Sequence, residues 1–155
     1  MAQIFPAEHA AKCIAQSGSL IGSSPRRNEM RVVVADDNPR WLMMLASIVE
    51  AKYEVVSTTI DGKSALQSIS QVKPDVAVLD LEMPELNGLQ VTREIMSNGQ
   101  RPPVVICSVD TTQELVEAAR QAGAAGYVFK HCCTRDLLPA IEAVASGRVF
   151  FPPSA

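Results

Sequence analysis

Between residues 31 and 130 short apolar runs alternate five times with longer amphipathic stretches. The runs RVVVA (31–35), YEVVST (53–58), DVAVLD (75–80), PVVICS (103–108) and GYVFK (126–130) are rich in β-branched residues and bounded by turn formers, which marks them as strands. RVVVA is apolar at consecutive positions, as a strand covered on both faces must be. The stretches between them carry the helical period. In RWLMMLASIVEAK, Leu42, Leu45, Ala46 and Val49 fall on one face, behind Asn38 as a cap and Pro39 in the first turn. Trp41, Met43 and Met44 are expected to pack. Asp61 caps GKSALQSIS, LNGLQVTREIMSNG follows the third strand, and Thr111 or Thr112 caps QELVEAARQAG. TRDLLPAIEAVASG is the last helix, with Pro139 expected in its first turn, where a missing N–H costs little.

Strands joined by helical crossovers of this length return in the same direction. The prediction is an α/β fold, a doubly wound five-stranded parallel sheet of order 2-1-3-4-5, flavodoxin-like, with ligands at the carboxyl ends of strands one and three. Residues 1–29 mix Gly, Ser, Pro and charge without a period and are expected to form a poorly ordered extension. Met30 opens the regular pattern and is itself a candidate start. The domain is expected over 30–150, with 151–155 opening a linker or tail. These 155 residues are enough to bury a full core without disulfides or metals.

Composition narrows the class. With 47% hydrophobic and 20% charged residues and a net charge of -3, the chain reads as globular and cytoplasmic, with no membrane partner. Its Lys and Arg are scattered, which argues against direct nucleic-acid binding. Four cysteines form no C-x-x-C pair and read as reduced thiols; Cys132 and Cys133 are expected to cap or enter the last helix.

The topology carries Asp36 and Asp37, Asp80, Ser108 and Lys130 to one edge of the sheet. Alone, the aspartate pair fits a turn and cap, Ser108 a turn, and Lys130 a solvated surface. Together they crowd three carboxylates against one ammonium. Two carboxylates about 4 Å apart repel by roughly 4 kcal/mol at an effective dielectric of 20, so the cluster calls for a cation. An all-oxygen set without histidine or cysteine suits Mg²⁺, held by Asp36, Asp37, Asp80 and a backbone carbonyl near Glu82. A metal, a central carboxylate, a hydroxyl and a lysine together suit phosphoryl transfer, with Asp80 as the covalent acceptor.

The stretches VVVADDNP, VLDLEMPELNGLQ, VVICSVD and GYVFK, and the ending AVASGRVFFP, resemble the receiver domain of two-component response regulators, most closely the NarL/FixJ subfamily with LuxR-type output. The resemblance implies that Asp80 takes a phosphoryl group from a histidine kinase or histidine phosphotransfer protein. Asp36 and Asp37 would organise Mg²⁺, and Ser108 and Tyr127 would form a switch pair whose ring turns inward. It also implies a partner or homodimer interface, and DNA contact only through an output domain that this chain lacks. His131 stands where many receivers carry proline. Val109 is bulkier than the usual residue beside the switch hydroxyl, which predicts slow phosphorylation by small donors. Rival readings are an aspartate-dependent small-molecule phosphatase of related α/β fold, with Glu82 as acid/base, and a stand-alone interaction module.

Overall fold

The computed structural model describes residues 30–99 and 102–154; the extension expected over 1–29 lies outside the described residues. Strands β1 (Arg31–Ala35), β2 (Glu54–Thr59), β3 (Val76–Asp80), β4 (Val104–Ser108) and β5 (Gly126–Phe129) form one sheet of order β2-β1-β3-β4-β5. All pairings are parallel, as predicted. Helices α1 (Pro39–Glu50), α2 (Gly62–Val72), α3 (Gly88–Ser97), α4 (Gln113–Ala122) and α5 (Cys133–Ala145) follow the strands in turn.

Alternation along each strand divides the core in two. Val33 and Ala35 face α2, α3 and α4, whereas Val32 and Val34 face α1 and α5. Both faces of β1, β3 and β4 are therefore apolar, and each buried Val or Leu contributes about 1.5–3 kcal/mol.

Local chemistry sets the helix starts. Asn38 Oδ1 accepts the Arg40 and Trp41 N–H groups, and Pro39 takes the first helical position. Asp61 Oδ1 accepts from Ser64 N–H at 2.7 Å. Asn87 and Gln90 close a reciprocal capping box at α3. Thr112 occupies the cap position of α4 without a side-chain bond, and Asp110 Oδ1 takes its N–H instead.

Two expectations are corrected. A 3-10 turn, Lys130–Cys132, separates β5 from α5, which begins at Cys133 and leaves Pro139 in the helix interior. Arg135 and Pro139 are both exposed, so water can solvate the carbonyl that loses its donor. Met43 and Met44 do not pack; they are 72% and 47% exposed, on the outer side of α1.

Beyond α5 the chain folds back onto the sheet. Phe150 N–H donates to Ala125 O and Phe150 O accepts from Tyr127 N–H, at 2.9 and 2.8 Å, making a parallel bridge to Gly126. Phe151 packs against the α4 side of the core, so apolar packing runs past the boundary expected at 150.

Candidate functional site

The carboxyl ends of β1, β3, β4 and the turn after β5 converge on one open cleft of about 470 Å³, lined among others by Asp37, Trp41, Asp80, Glu82, Ser108 and Lys130. Asp36 follows β1 directly and is fully buried beneath it, with Oδ1 accepting the Asn38 N–H at 2.9 Å. The next residue, Asp37, is exposed at the mouth. Asp80 ends β3, the central strand. Carboxylate oxygens of Asp36, Asp37 and Asp80 lie within 4.8 Å of one another. The 3-10 turn folds Lys130 back over the sheet edge, where Nζ lies 2.6 Å from Asp36 Oδ2 and 3.1 Å from Asp80 Oδ1.

Electrostatics follow from this crowding. Burial and the neighbouring Asp36 carboxylate raise the Asp80 pKa from 3.8 to about 6, against the opposing pull of Lys130. Burial works to lower the Lys130 pKa, but the hydrogen bond to Asp36 and the charges of Asp80 and Asp36 outweigh it and hold it above the ordinary value. One ammonium thus serves two buried carboxylates. The single ammonium, 2.6 Å from Asp36 Oδ2 and 3.1 Å from Asp80 Oδ1, offsets one charge in a cluster of three carboxylates. That excess of negative charge and the all-carboxylate ligand set fit a hard divalent cation.

The spacing D-x-x-M-P-x-x-x-G after β3 has a steric cause. A Cβ on Gly88 would stand 2.4 Å from the Asp80 carbonyl oxygen, so α3 can start against the end of β3 only with glycine there. Gly88 N–H donates to Leu81 O at 2.8 Å, which closes the loop. Gly62 is similarly constrained: its Cβ would meet Leu86 O at 1.8 Å, and its N–H donates to Pro84 O. Met83 fills the core below, while Glu85 holds the left-handed conformation at φ 72°.

The structure brings together Asp36, Asp37, Asp80, Ser108 and Lys130, and sets Glu82 exposed on the cleft wall. Ser108 is buried, with Oγ accepting the Asp110 N–H at 3.0 Å. Tyr127 is fully buried, and its OH donates to Asp110 O at 2.9 Å. Burial raises the pKa of that phenol. His131 stacks on Phe129 and makes no contact with the carboxylates that would suit a base. Val109 is 66% exposed on the wall of the cleft. Burial likewise raises the Cys107 thiol, keeping it protonated.

One contact in the cleft is not legible from the sequence. The Trp41 ring packs partly on the core, but it also lines the cleft, with Lys130 Nζ 5.1 Å from its centre. Its position three residues after Asn38 was the available signal.

A family model described as the response regulator receiver domain matches residues 32–142. The transcriptional regulatory protein PdtaR of Mycobacterium tuberculosis is 37% identical over 117 residues, covering 75% of this chain and 57% of its own. The chain thus spans little more than half the length of that relative. The chemotaxis protein CheY of Thermotoga maritima is 35% identical over 101 residues, 64% of this chain and 84% of its own. Among solved structures, the signal receiver domain of NarL from Mycobacterium tuberculosis superposes with a TM-score of 0.75 at 32% identity, covering 80% of this chain and 100% of that one.

Proposed function

This chain belongs to the response regulator receiver family, and from that premise we propose that Asp80 is its phosphoacceptor. Phosphorylation on aspartate by histidine kinases is general in the family, as is the use of Mg²⁺ at an acidic pocket. The observation that carries the assignment to Asp80 is its place on the central strand, 3.1 Å from a buried lysine and inside the carboxylate cluster.

In the proposed step an Asp80 carboxylate oxygen attacks the phosphorus of a phosphohistidine. The new P–O bond forms as the P–N bond breaks; the electron pair leaves on the donor imidazole, which takes up a proton. Lys130 holds the acceptor carboxylate and neutralises one phosphoryl oxygen, and the Ser108 hydroxyl donates to another. Asp36, Asp37, Asp80 and the Glu82 carbonyl would hold Mg²⁺, which supplies charge neutralisation for the transferred group. Water later attacks the acyl phosphate, releasing inorganic phosphate and restoring the carboxylate. The domain therefore works as a stoichiometric switch, with self-catalysed transfer and hydrolysis only. Val109 narrows the entrance and slows small donors.

The donor partner is a histidine kinase or histidine phosphotransfer protein. By analogy with the transcriptional regulators it resembles, the output is control of transcription through a DNA-contacting domain, with a homodimer as an intermediate partner. The test is incubation with acetyl phosphate and Mg²⁺, followed by intact mass. One phosphate per chain in the parent and none in Asp80→Asn supports the reading. Continuous turnover of small phosphate esters would instead place the chain among aspartate-dependent phosphatases.

A further inference from the structure

Among the described residues three cations lie over aromatic rings: Lys52 on Tyr53, Arg120 on Phe151 and Lys130 on Trp41. The Lys52 and Arg120 side chains are 28% and 47% exposed, so water competes with the ring for the charge. The Lys130 side chain is only 5% exposed, and its Nζ lies 5.1 Å from the indole centre. A desolvated ammonium is held by the negative face of a ring more strongly than a hydrated one, and indole is the strongest ring for this purpose. The contact beside the acidic cleft is therefore the one with energetic weight.

Local structure fixes the ring in place. Trp41 is the third residue of α1, and its N–H donates to Asn38 Oδ1, while the Asn38 N–H donates to Asp36 Oδ1. The indole is half-buried against the core on the α1 face of the sheet, and it lines the cleft beside Asp80. Leu45 and Val49 already seat α1 on the sheet, so packing alone does not require an indole at this position. The ammonium it covers has two carboxylate partners at unequal distance, Asp36 Oδ2 at 2.6 Å and Asp80 Oδ1 at 3.1 Å. Asp36 is fully buried beneath the cleft, whereas Trp41 and Asp80 both line it. Under Coulomb attraction alone, a flexible lysine settles onto the nearer, deeper carboxylate and leaves Asp80. The ring draws the charge the other way, towards the cleft.

We propose that Trp41 is a positioning residue for phosphoryl transfer: its indole face holds Lys130 Nζ between Asp36 and Asp80, so that incoming phosphoryl oxygens meet an ammonium already in place. The proposal rests on Asp80 being the acceptor. Without the ring's negative face the lysine settles on Asp36, and that ion pair must loosen before the ammonium can serve the cleft. The lost preorganisation appears as weaker binding of a phosphoryl-like anion. It depends on the charge distribution of the ring and not on its bulk, which separates this role from packing.

Trp41 is the single tryptophan of the chain, so biosynthetic incorporation of mono-, di- and trifluorinated tryptophan alters this ring alone. Each fluorine drains negative charge from the ring face with little change in shape. The experiment uses the full chain with Mg²⁺, and calorimetry reads the affinity for beryllofluoride. Affinity is expected to fall stepwise, about twofold per fluorine, and about tenfold in Trp41→Leu, with Trp41→Phe between Leu and the parent. Should Trp41→Leu fold poorly, the fluorinated series, which keeps the ring, decides. If the fluorinated chains bind like the parent, the indole acts by packing or not at all, and the proposal fails whatever Trp41→Leu shows. If the parent itself does not bind beryllofluoride, the acceptor assignment falls, and the role of Trp41 with it.

Discussion

The two ends of the sheet share strands and core yet treat charge in opposite ways. At the amino ends, Arg31 N–H donates to Asp75 Oδ2 at 2.8 Å, and the Arg31 side chain donates to Lys73 O, both bonds lying in solvent. At the carboxyl ends, Asp36 and Asp80 are buried with one lysine between them. The first arrangement is a local tie with little stake in stability, since exposed polar contacts contribute about 1 kcal/mol or less. The second sets two buried carboxylates against one ammonium, an excess of negative charge that a cation would relieve. What differs is desolvation, and desolvation is what gives the carboxyl end its chemistry.

The strongest way to break this contrast is Asp80→Asn, which should abolish phosphate incorporation read by intact mass and raise metal-free stability at pH 7. Incorporation persisting at another carboxylate would place the acceptor elsewhere. Lys130→Met comes next. With two buried carboxylates left facing each other, urea unfolding at pH 7 without metal should show a loss of about 3 kcal/mol, whereas Arg31→Ala at the far end should lose less than 1 kcal/mol. Equal losses would erase the distinction.

The third expectation concerns pH. The folded Asp80 pKa of about 6 lies above its unfolded value of 3.8. Its favourable contribution is therefore complete below about pH 4 and lost as pH rises through 6, amounting to about 3 kcal/mol. Thermal melts from pH 4 to 7 should show this decline in the parent, a flatter profile in Asp80→Asn, and recovery at pH 7 on adding Mg²⁺. The smallest effect belongs to the amino end. Lys73 closes α2 at φ 48°, so Lys73→Gly should stabilise by about 0.5 kcal/mol in the same melts without altering phosphate incorporation.

Much of this layout could be read from the sequence because burial on both faces leaves uninterrupted β-branched runs, and because the polar residues that matter directly follow them. Asp36, Asp80 and Ser108 announce themselves as breaks in apolar strands. Trp41 did not, since helical spacing alone assigns it to packing and its contact with Lys130 joins elements distant in sequence. Pro139 was misplaced because the 3-10 turn after β5 leaves no periodic trace, and the helix then starts earlier than its polar residues suggest. The bridge at Phe150 is a single residue long, too short to carry any alternation. The orientation of Tyr127 depends on the Asp110 carbonyl, which no sequence pattern specifies.

The chain contains one tryptophan, and that indole stands beside the ammonium that pairs with Asp36 and Asp80. Its emission therefore comes from one place, with no other indole to dilute the signal. Any ligand that draws the lysine away alters the field across the chromophore, so the molecule carries an intrinsic optical gauge of its own charge state, readable without a label.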